Sequence, residues 1–412
     1  MDKVYVGLVF ILNGVVSLFA VNLAVNIMEA NDYYLYSIAL TAASLLNAVF
    51  FQWLRIYLLR ELPGKYKMLY FGSIKIIRRT YLFYFISVAL SGLLILYLKN
   101  DFYAVAFAVA VLALFQSYFE IGVALLRSWQ KLKFFFFGSL VRNVTWLLLL
   151  ALVFLVKGGV LYFLIFFAIA YGVAGVVLHY FAKPSGEYLS KFEDVKYNIF
   201  GNHIVYLSVS VVISFLSLLL LKLSVSEFTG ESQFIAWFDL IYLVGITPFL
   251  AVNYLYQTRM VVLYNAGGDM GRLVFYPLIC TVVVVVFSVF LYFINGYFYF
   301  RFPEIELQNV VAISSAISLL GFKQNWLDHA FYLKRDYKGL MLSVLLALSI
   351  SLLAYLFLNV SIYQLMIIYT SLLVCISIAT NIKFIRQSFS FWFTILIVSM
   401  LIFIGGASAF VS

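Results

Sequence analysis

Apolar residues run through this chain in blocks rather than in stripes. Thirteen stretches are apolar on nearly every face, at residues 4–25, 33–56, 80–98, 102–126, 134–156, 160–181, 199–222, 233–257, 273–294, 308–332, 339–358, 361–382 and 391–410. Each is close to the roughly 20 residues a helix needs to cross the hydrocarbon core of a bilayer. All-round apolarity marks helices that face lipid or a large buried core, not the one-sided helices of a small soluble domain. The links between the blocks are short and polar, and two of them correspond loosely. ALLRSWQKLKFFFFGSLVR (Ala124 to Arg142) closes the fourth block, and HAFYLKRDYKGL (His329 to Leu340) closes the fourth block of the second set. Lys131, Lys133 and Phe134 then answer to Lys334, Asp336 and Tyr337. This spacing predicts six helices, six more, and one extra C-terminal helix. The expected domains are an N-terminal six-helix bundle over 1–182, a cytoplasmic linker over 183–198, a second bundle over 199–386 and an extra transmembrane helix within 387–412. The linker, KPSGEYLSKFEDVKYN, is the most polar stretch, and its FEDVKYN tail is expected to form a short surface helix.

Composition turns this pattern into a class. Of the 412 residues 65% are hydrophobic and only 11% charged, against about 25% charged in a soluble domain. The fold class is therefore an all-α polytopic membrane protein. A net charge of +10 would fit nucleic-acid binding, but the distribution of that charge excludes it. With the N-terminus placed in the cytoplasm, 23 of the 27 Lys and Arg residues fall in cytoplasmic positions, as the inside bias of basic residues requires. Lys99, Lys157, Lys222 and Arg301 alone fall outside. The first block begins almost at once, runs too long for a cleaved leader and carries Asn13, Asn22 and Asn26, so it is expected to be a retained helix. Cys280 and Cys375 lie inside apolar blocks, where a disulfide framework or a zinc site is not expected. The outer links, the longest near 223–232 and 295–307, leave no room for an external catalytic domain, and no enzyme activity is expected. LPGKYKMLYFGSIKIIRR, within the cytoplasmic link 58–79, reads as an interfacial segment.

Candidate chemistry is sparse. His179, His203 and His329 lie far apart near helix ends, and GGDMG (Gly267 to Gly271) lacks the strand–turn–helix context of a phosphate loop. Ionisable groups within a bilayer are costly and mark function by default. Lys323, Arg142 and Arg55 are candidates to line a cavity with Asn47, Asn26 and Asn253, while Asp239, Glu120 and Asp328 are candidates for ion coupling. Each has a structural alternative: Glu120 pairing with a nearby arginine at the inner interface, Lys323 snorkelling to it, and the amides bonding between helices. The pairs Asn22–Asn26, Asn47–Gln52 and Asn253–Gln257 each share roughly one helix face. Pro248, with Gly245, predicts a kink in the eighth span.

Two stretches carry a family resemblance. ANDYYLYSIALTAASLLNAVFFQWLRIYLLRE (Ala30 to Glu61) resembles the first-loop and second-helix region of polysaccharide flippases in the multidrug/oligosaccharidyl-lipid/polysaccharide exporter superfamily. ALLRSWQKLKFFFFGSLVRN resembles the link between their fourth and fifth helices. The nearest branch in appearance is the Wzx-type flippases of O-antigen and capsule repeat units. The resemblance implies two six-helix bundles in a V, a cationic central cavity and alternating access coupled to a sodium ion or proton. It implies an undecaprenyl-diphosphate-linked oligosaccharide as substrate, lipopolysaccharide O-antigen or polysaccharide biosynthesis as setting, the bacterial inner membrane as location, and polymerase and chain-length proteins as partners. The thirteenth block departs from the family's twelve-helix form. The alternatives are a multidrug or small-metabolite exporter of the same superfamily and a membrane O-antigen polymerase, which the short outer links disfavour.

Overall fold

A computed structural model describes residues 2–61, 78–88, 103–128, 131–156, 158–182, 202–224, 234–243, 245, 248–249, 275–296, 302–328, 336–358, 360–385 and 391–411. Among these there is no strand. The helices are α1 (Asp2–Ile27), α2 (Ala30–Glu61), α3 (78–88), α4 (Tyr103–Ser128), α5 (Leu132–Val156), α6 (Val160–Phe181), α7 (Asn202–Ser224), α8 (Phe234–Leu243), α9 (Phe275–Phe293), α10 (Leu307–Phe322), α11 (Tyr337–Leu358), α12 (Ile362–Ile385) and α13 (Phe391–Val411). Helix is the only open-ended way to satisfy backbone polar groups in hydrocarbon, and seven of these helices are long and apolar enough to cross a membrane. The protein is a multi-pass membrane protein. The linker 183–198, the GGDMG turn and most of the stretch around Pro248 lie outside the described residues.

Helix bounds exceed the apolar blocks where polar residues favour continuation. Helix α2 starts at Ala30 with Asp32 in its first turn, where a carboxylate meets the partial positive charge of the helix N-terminus. Hydroxyls along the helices bond back to carbonyls one turn earlier, as Ser208 does to Ile204 (2.7 Å), Ser217 to Ile213 (2.8 Å) and Thr370 to Met366 (2.9 Å). These polar side chains of apolar helices are thereby satisfied without a partner helix.

The chain forms two compact units, one of Met1–Val9 with Leu35–Leu219, the other of Phe10–Tyr34 with Leu220–Ser412. In the first unit α6 packs on both α4 and α5. Contact between α4 and α6 is close because glycine stands at the crossing. A Cβ on Gly172 would lie 2.9 Å from the ring of Phe115, and one on Gly122 would lie 2.9 Å from the Cβ of Leu178. Small residues at a membrane helix crossing let backbones approach in this way. In the second unit α10 is the buried axis, flanked by α9, α12 and α13. The thirteenth block is thus a helix of that unit. A Cβ on its Gly405 would lie 2.6 Å from Ile367 and 3.0 Å from Ser315. Leu148, Leu155 and Val156 of α5, Val282 and Val286 of α9, and Leu356 to Leu358 of α11 are exposed, as lipid-facing side chains are.

Candidate functional site

Charged side chains inside the helices form separate clusters. In the first unit the centre is Glu120, on α4. Asn47 of α2 donates its amide to Glu120 Oε2 at 3.0 Å, and Gln116, one turn earlier on α4, donates to Oε1 at 3.2 Å. Arg55 of α2 makes an ion pair with the same carboxylate. Asn47 and Arg55 are eight residues apart, about two helical turns, and so project from the same face of α2. The Glu120 side chain keeps 26% of its exposure and Arg55 16%, so the pair is reachable from outside the packed helices. Among the described residues, Asn47 Oδ1 and Arg55 Nε are buried without a hydrogen-bond partner. Within what is described, one acceptor and one donor therefore stand without a hydrogen bond beside the Glu120 carboxylate.

Arg142 of α5 is held differently. Its guanidinium carbon lies 5.3 Å from the ring centroids of both Phe119 on α4 and Tyr171 on α6, and it donates to Asn143 Oδ1 at 3.0 Å. The flat, weakly hydrated guanidinium suits such an aromatic setting better than an ammonium would. His179 stacks on Tyr118 with centroids 4.1 Å apart, and its Nε2 lies 2.9 Å from the Tyr118 carbonyl. That is a structural setting within the contact between α4 and α6.

Among the described residues the second unit holds two buried ion pairs. Asp239 of α8 receives Lys222 of α7 at 2.6 Å on Oδ1 and the phenol of Tyr33 of α2 at 3.2 Å on Oδ2. Lys222, Asp239 and Tyr33 are 4%, 8% and 4% exposed. The second pair is Lys323 with Asp328, at 3.0 Å, both on the helical segment that begins as α10. Residues five apart on an α-helix point about 140° away from each other. Here Lys323–Leu327 forms a π-helical turn, whose wider spacing brings Lys323 and Asp328 back onto one side.

Of the candidates read from the sequence, Asn47, Arg55 and Glu120 are thus brought together, Lys323 and Asp328 are brought together, and Asp239 and Arg142 each stand in a cluster of their own. Asn26 bonds only locally in what is described, to the Asn22 carbonyl at 2.6 Å, and Asn253 lies outside the described residues. Sequence reasoning misses Lys222. The count of basic residues sets it among the four outer cations, yet it is the buried counter-ion of Asp239. The signal is its place in the last turn of α7, facing a carboxylate early in the following helix. Among the described residues no three His, Cys, Asp or Glu side chains gather in a metal-binding group.

No family model matches the chain, and a search of curated proteins found no relative. Among solved structures the chain is similar to that of the MATE multidrug transporter DinF-BH, determined as a ligand complex, with a TM-score of 0.59 and 16% identity over 95% of each chain. The likeness shows the fold: an all-helical architecture of the MATE type, consistent with six helices plus six.

Proposed function

We propose that the protein is a secondary transporter of the multidrug/oligosaccharidyl-lipid/polysaccharide exporter superfamily, carrying an amphipathic organic molecule out of the cytoplasm by alternating access. The observation that carries this reading is the fold shared with a MATE multidrug transporter over nearly the whole of both chains. Charged clusters inside the helices support it, since polar groups within a membrane protein mark a substrate or ion path more often than a scaffold. The Glu120–Arg55–Asn47 cluster has the chemistry of a partner-exchange site. A cationic or hydrogen-bonding substrate competes for the carboxylate, and an anionic one competes for the guanidinium. A coupling sodium ion or proton would act on a carboxylate, with Asp239, Glu120 and Asp328 as the residues available.

The test is movement of a cationic rhodamine dye, as efflux or as uptake into inverted vesicles, with purified protein in lipid under imposed proton and sodium gradients. Gradient-driven dye movement that Glu120→Gln lowers at least tenfold is the expected result. Absence of movement under every gradient would sink the small-molecule reading.

A second reading is the flippase of undecaprenyl-linked oligosaccharides in the bacterial inner membrane. The observation favouring it is that two arginines lie within the helices of the first unit, Arg55 against Glu120 and Arg142 against Phe119 and Tyr171, and guanidinium is the side chain best matched to phosphate oxygens. Cells lacking the protein would then accumulate the lipid-linked repeat unit on the cytoplasmic leaflet. In vesicles, that lipid would compete with the dye.

A further inference from the structure

Buried hydroxyls on α9 and α11 bond back to a carbonyl of their own helix, as Ser288 does to Val284 (2.7 Å), Ser343 to Leu340 (2.7 Å) and Ser351 to Ala347 (2.7 Å). Four hydroxyls on α10 and α12 do not. Among the described residues, the hydroxyls of Ser315 and Ser318 on α10 and of Ser371 and Ser377 on α12 are buried without a hydrogen bond. Ser315, Ser318 and Ser377 are 0% exposed. These two helices touch, since α10 and its π turn both pack on α12. A Cβ on Gly405 would lie 3.0 Å from the Ser315 Cβ and 2.6 Å from Ile367, so Ser315 stands where α10, α12 and α13 meet. The buried side of α12 is itself polar. Thr370, Ser377 and Asn381 share one helix face and are all buried. Beyond the end of α10 stands the Lys323–Asp328 pair, where Asp328 Oδ1 lies 3.0 Å from the ammonium without the alignment of a hydrogen bond.

We infer that the contact between α10 and α12 is a water-binding seam, in which ordered water molecules bridge the hydroxyls of Ser315, Ser318 and Ser377 and reach Asp328 Oδ1. A hydroxyl buried dry forfeits the bonds it makes to water in the unfolded chain, and alanine would fill the same space without that loss. Buried water makes about three hydrogen bonds to polar groups that the protein leaves unsatisfied, and the seam offers such groups on both helices. A metal cation is a poor occupant. From Leu307 to Asp328 and along α12 and α13 the one carboxylate is Asp328, and Lys323 already holds it. A bound anion would meet that carboxylate. Water here solvates the buried ion pair, so both groups keep their charge at lower cost. It also supplies bridges that break and re-form singly, which lets α10 slide on α12 without losing every polar contact at once. The inference does not depend on which substrate is carried.

The test is X-ray radiolytic footprinting of the full-length protein in lipid nanodiscs, read by mass spectrometry. Hydroxyl radicals formed from bound water oxidise the aromatic rings beside it, even where bulk solvent does not reach. Phe322 is the reporter, because it is 1% exposed and shares a face of α10 with Ser315 and Ser318. Phe163, equally buried and packed against Tyr36 and Trp146 in the first unit, is the dry control. Phe322 is expected to oxidise at least fivefold faster than Phe163. Ser318→Ala and Ser377→Ala are each expected to slow that oxidation and to lower the apparent melting temperature. Alanine is the better helix former, so such a fall reports lost bridges rather than a weaker helix. The inference is overturned if Phe322 oxidises no faster than Phe163, or if neither alanine variant changes its rate. Alanine variants that melt above the wild type would overturn it too, since removing a dry hydroxyl stabilises. Dye movement in vesicles is read separately, so a dry seam leaves the transporter reading standing, and failure of transport leaves the seam standing.

Discussion

At the scale of single residues, the energetics turn on charges that cannot be removed one at a time. Lys222 and Asp239 are both buried, and taking one partner from a buried pair costs about 3–5 kcal/mol, whereas replacing both by neutral groups is often close to neutral. Lys222→Met should therefore lower the apparent melting temperature in detergent clearly. Lys222→Met with Asp239→Asn should recover most of the loss, as followed by thermal aggregation on size exclusion. Lys323 and Asp328 obey the same rule. Lys323→Gln alone should reduce folded protein, and Lys323→Gln with Asp328→Asn should restore it. Transport by the restored double variant then reads the role of the charge itself, apart from folding. That Asp239, Lys323 and Asp328 lie within apolar blocks was legible from the sequence, because ionisable residues stand out there. Their partners were not. A helix apolar on all faces does not reveal its rotation, so Lys222 reads as an outer cation, and nothing in KQNWL announces a π turn.

At the scale of helices, packing depends on where glycine removes a side chain. Gly405 and Gly406 are neighbours on α13, but a Cβ on Gly405 would crowd Ile367 and Ser315, and one on Gly406 would meet nothing within 4 Å. Gly405→Ala is expected to cost about 1–3 kcal/mol through overpacking. Gly406→Ala should be neutral or gain up to about 1 kcal/mol of helix propensity. Melting of the two variants side by side checks which face of α13 lies against α10, and equal behaviour would contradict the packing described. Helix positions were the most legible part of the fold, since hydrocarbon thickness dictates the length of an apolar run. The ends were less so: α1 and α2 run beyond the blocks at both ends, through Asp2 and Lys3, Asn26, Asn31 and Asp32, and Arg60 and Glu61, because polar and charged turns continue a helix into the interface.

At the scale of the whole molecule, α13 belongs to the second unit and covers its buried axis. Truncation after Ile385 should expose Ser315 and its neighbours on α10 and sharply reduce monodisperse protein in fluorescence-detected size exclusion. Unchanged abundance would make α13 an accessory. The all-helical class and the doubled set of six followed from block count and loop shortness. The grouping of residues 10–34 with the later helices has no mark in composition, because it depends on contacts between helices that are equally greasy. That grouping bears on how the protein is made. Domains of a growing chain generally fold in the order they are synthesised, but the second unit includes residues 10–34, most of α1 with the start of α2, which leave the ribosome long before the rest of that unit exists. That stretch must wait in the membrane, its Tyr33 without Asp239, until the ribosome has passed the middle of the message. Assembly from two separately expressed halves should therefore work better when the first piece ends beyond Asp239 than when it stops at the polar linker.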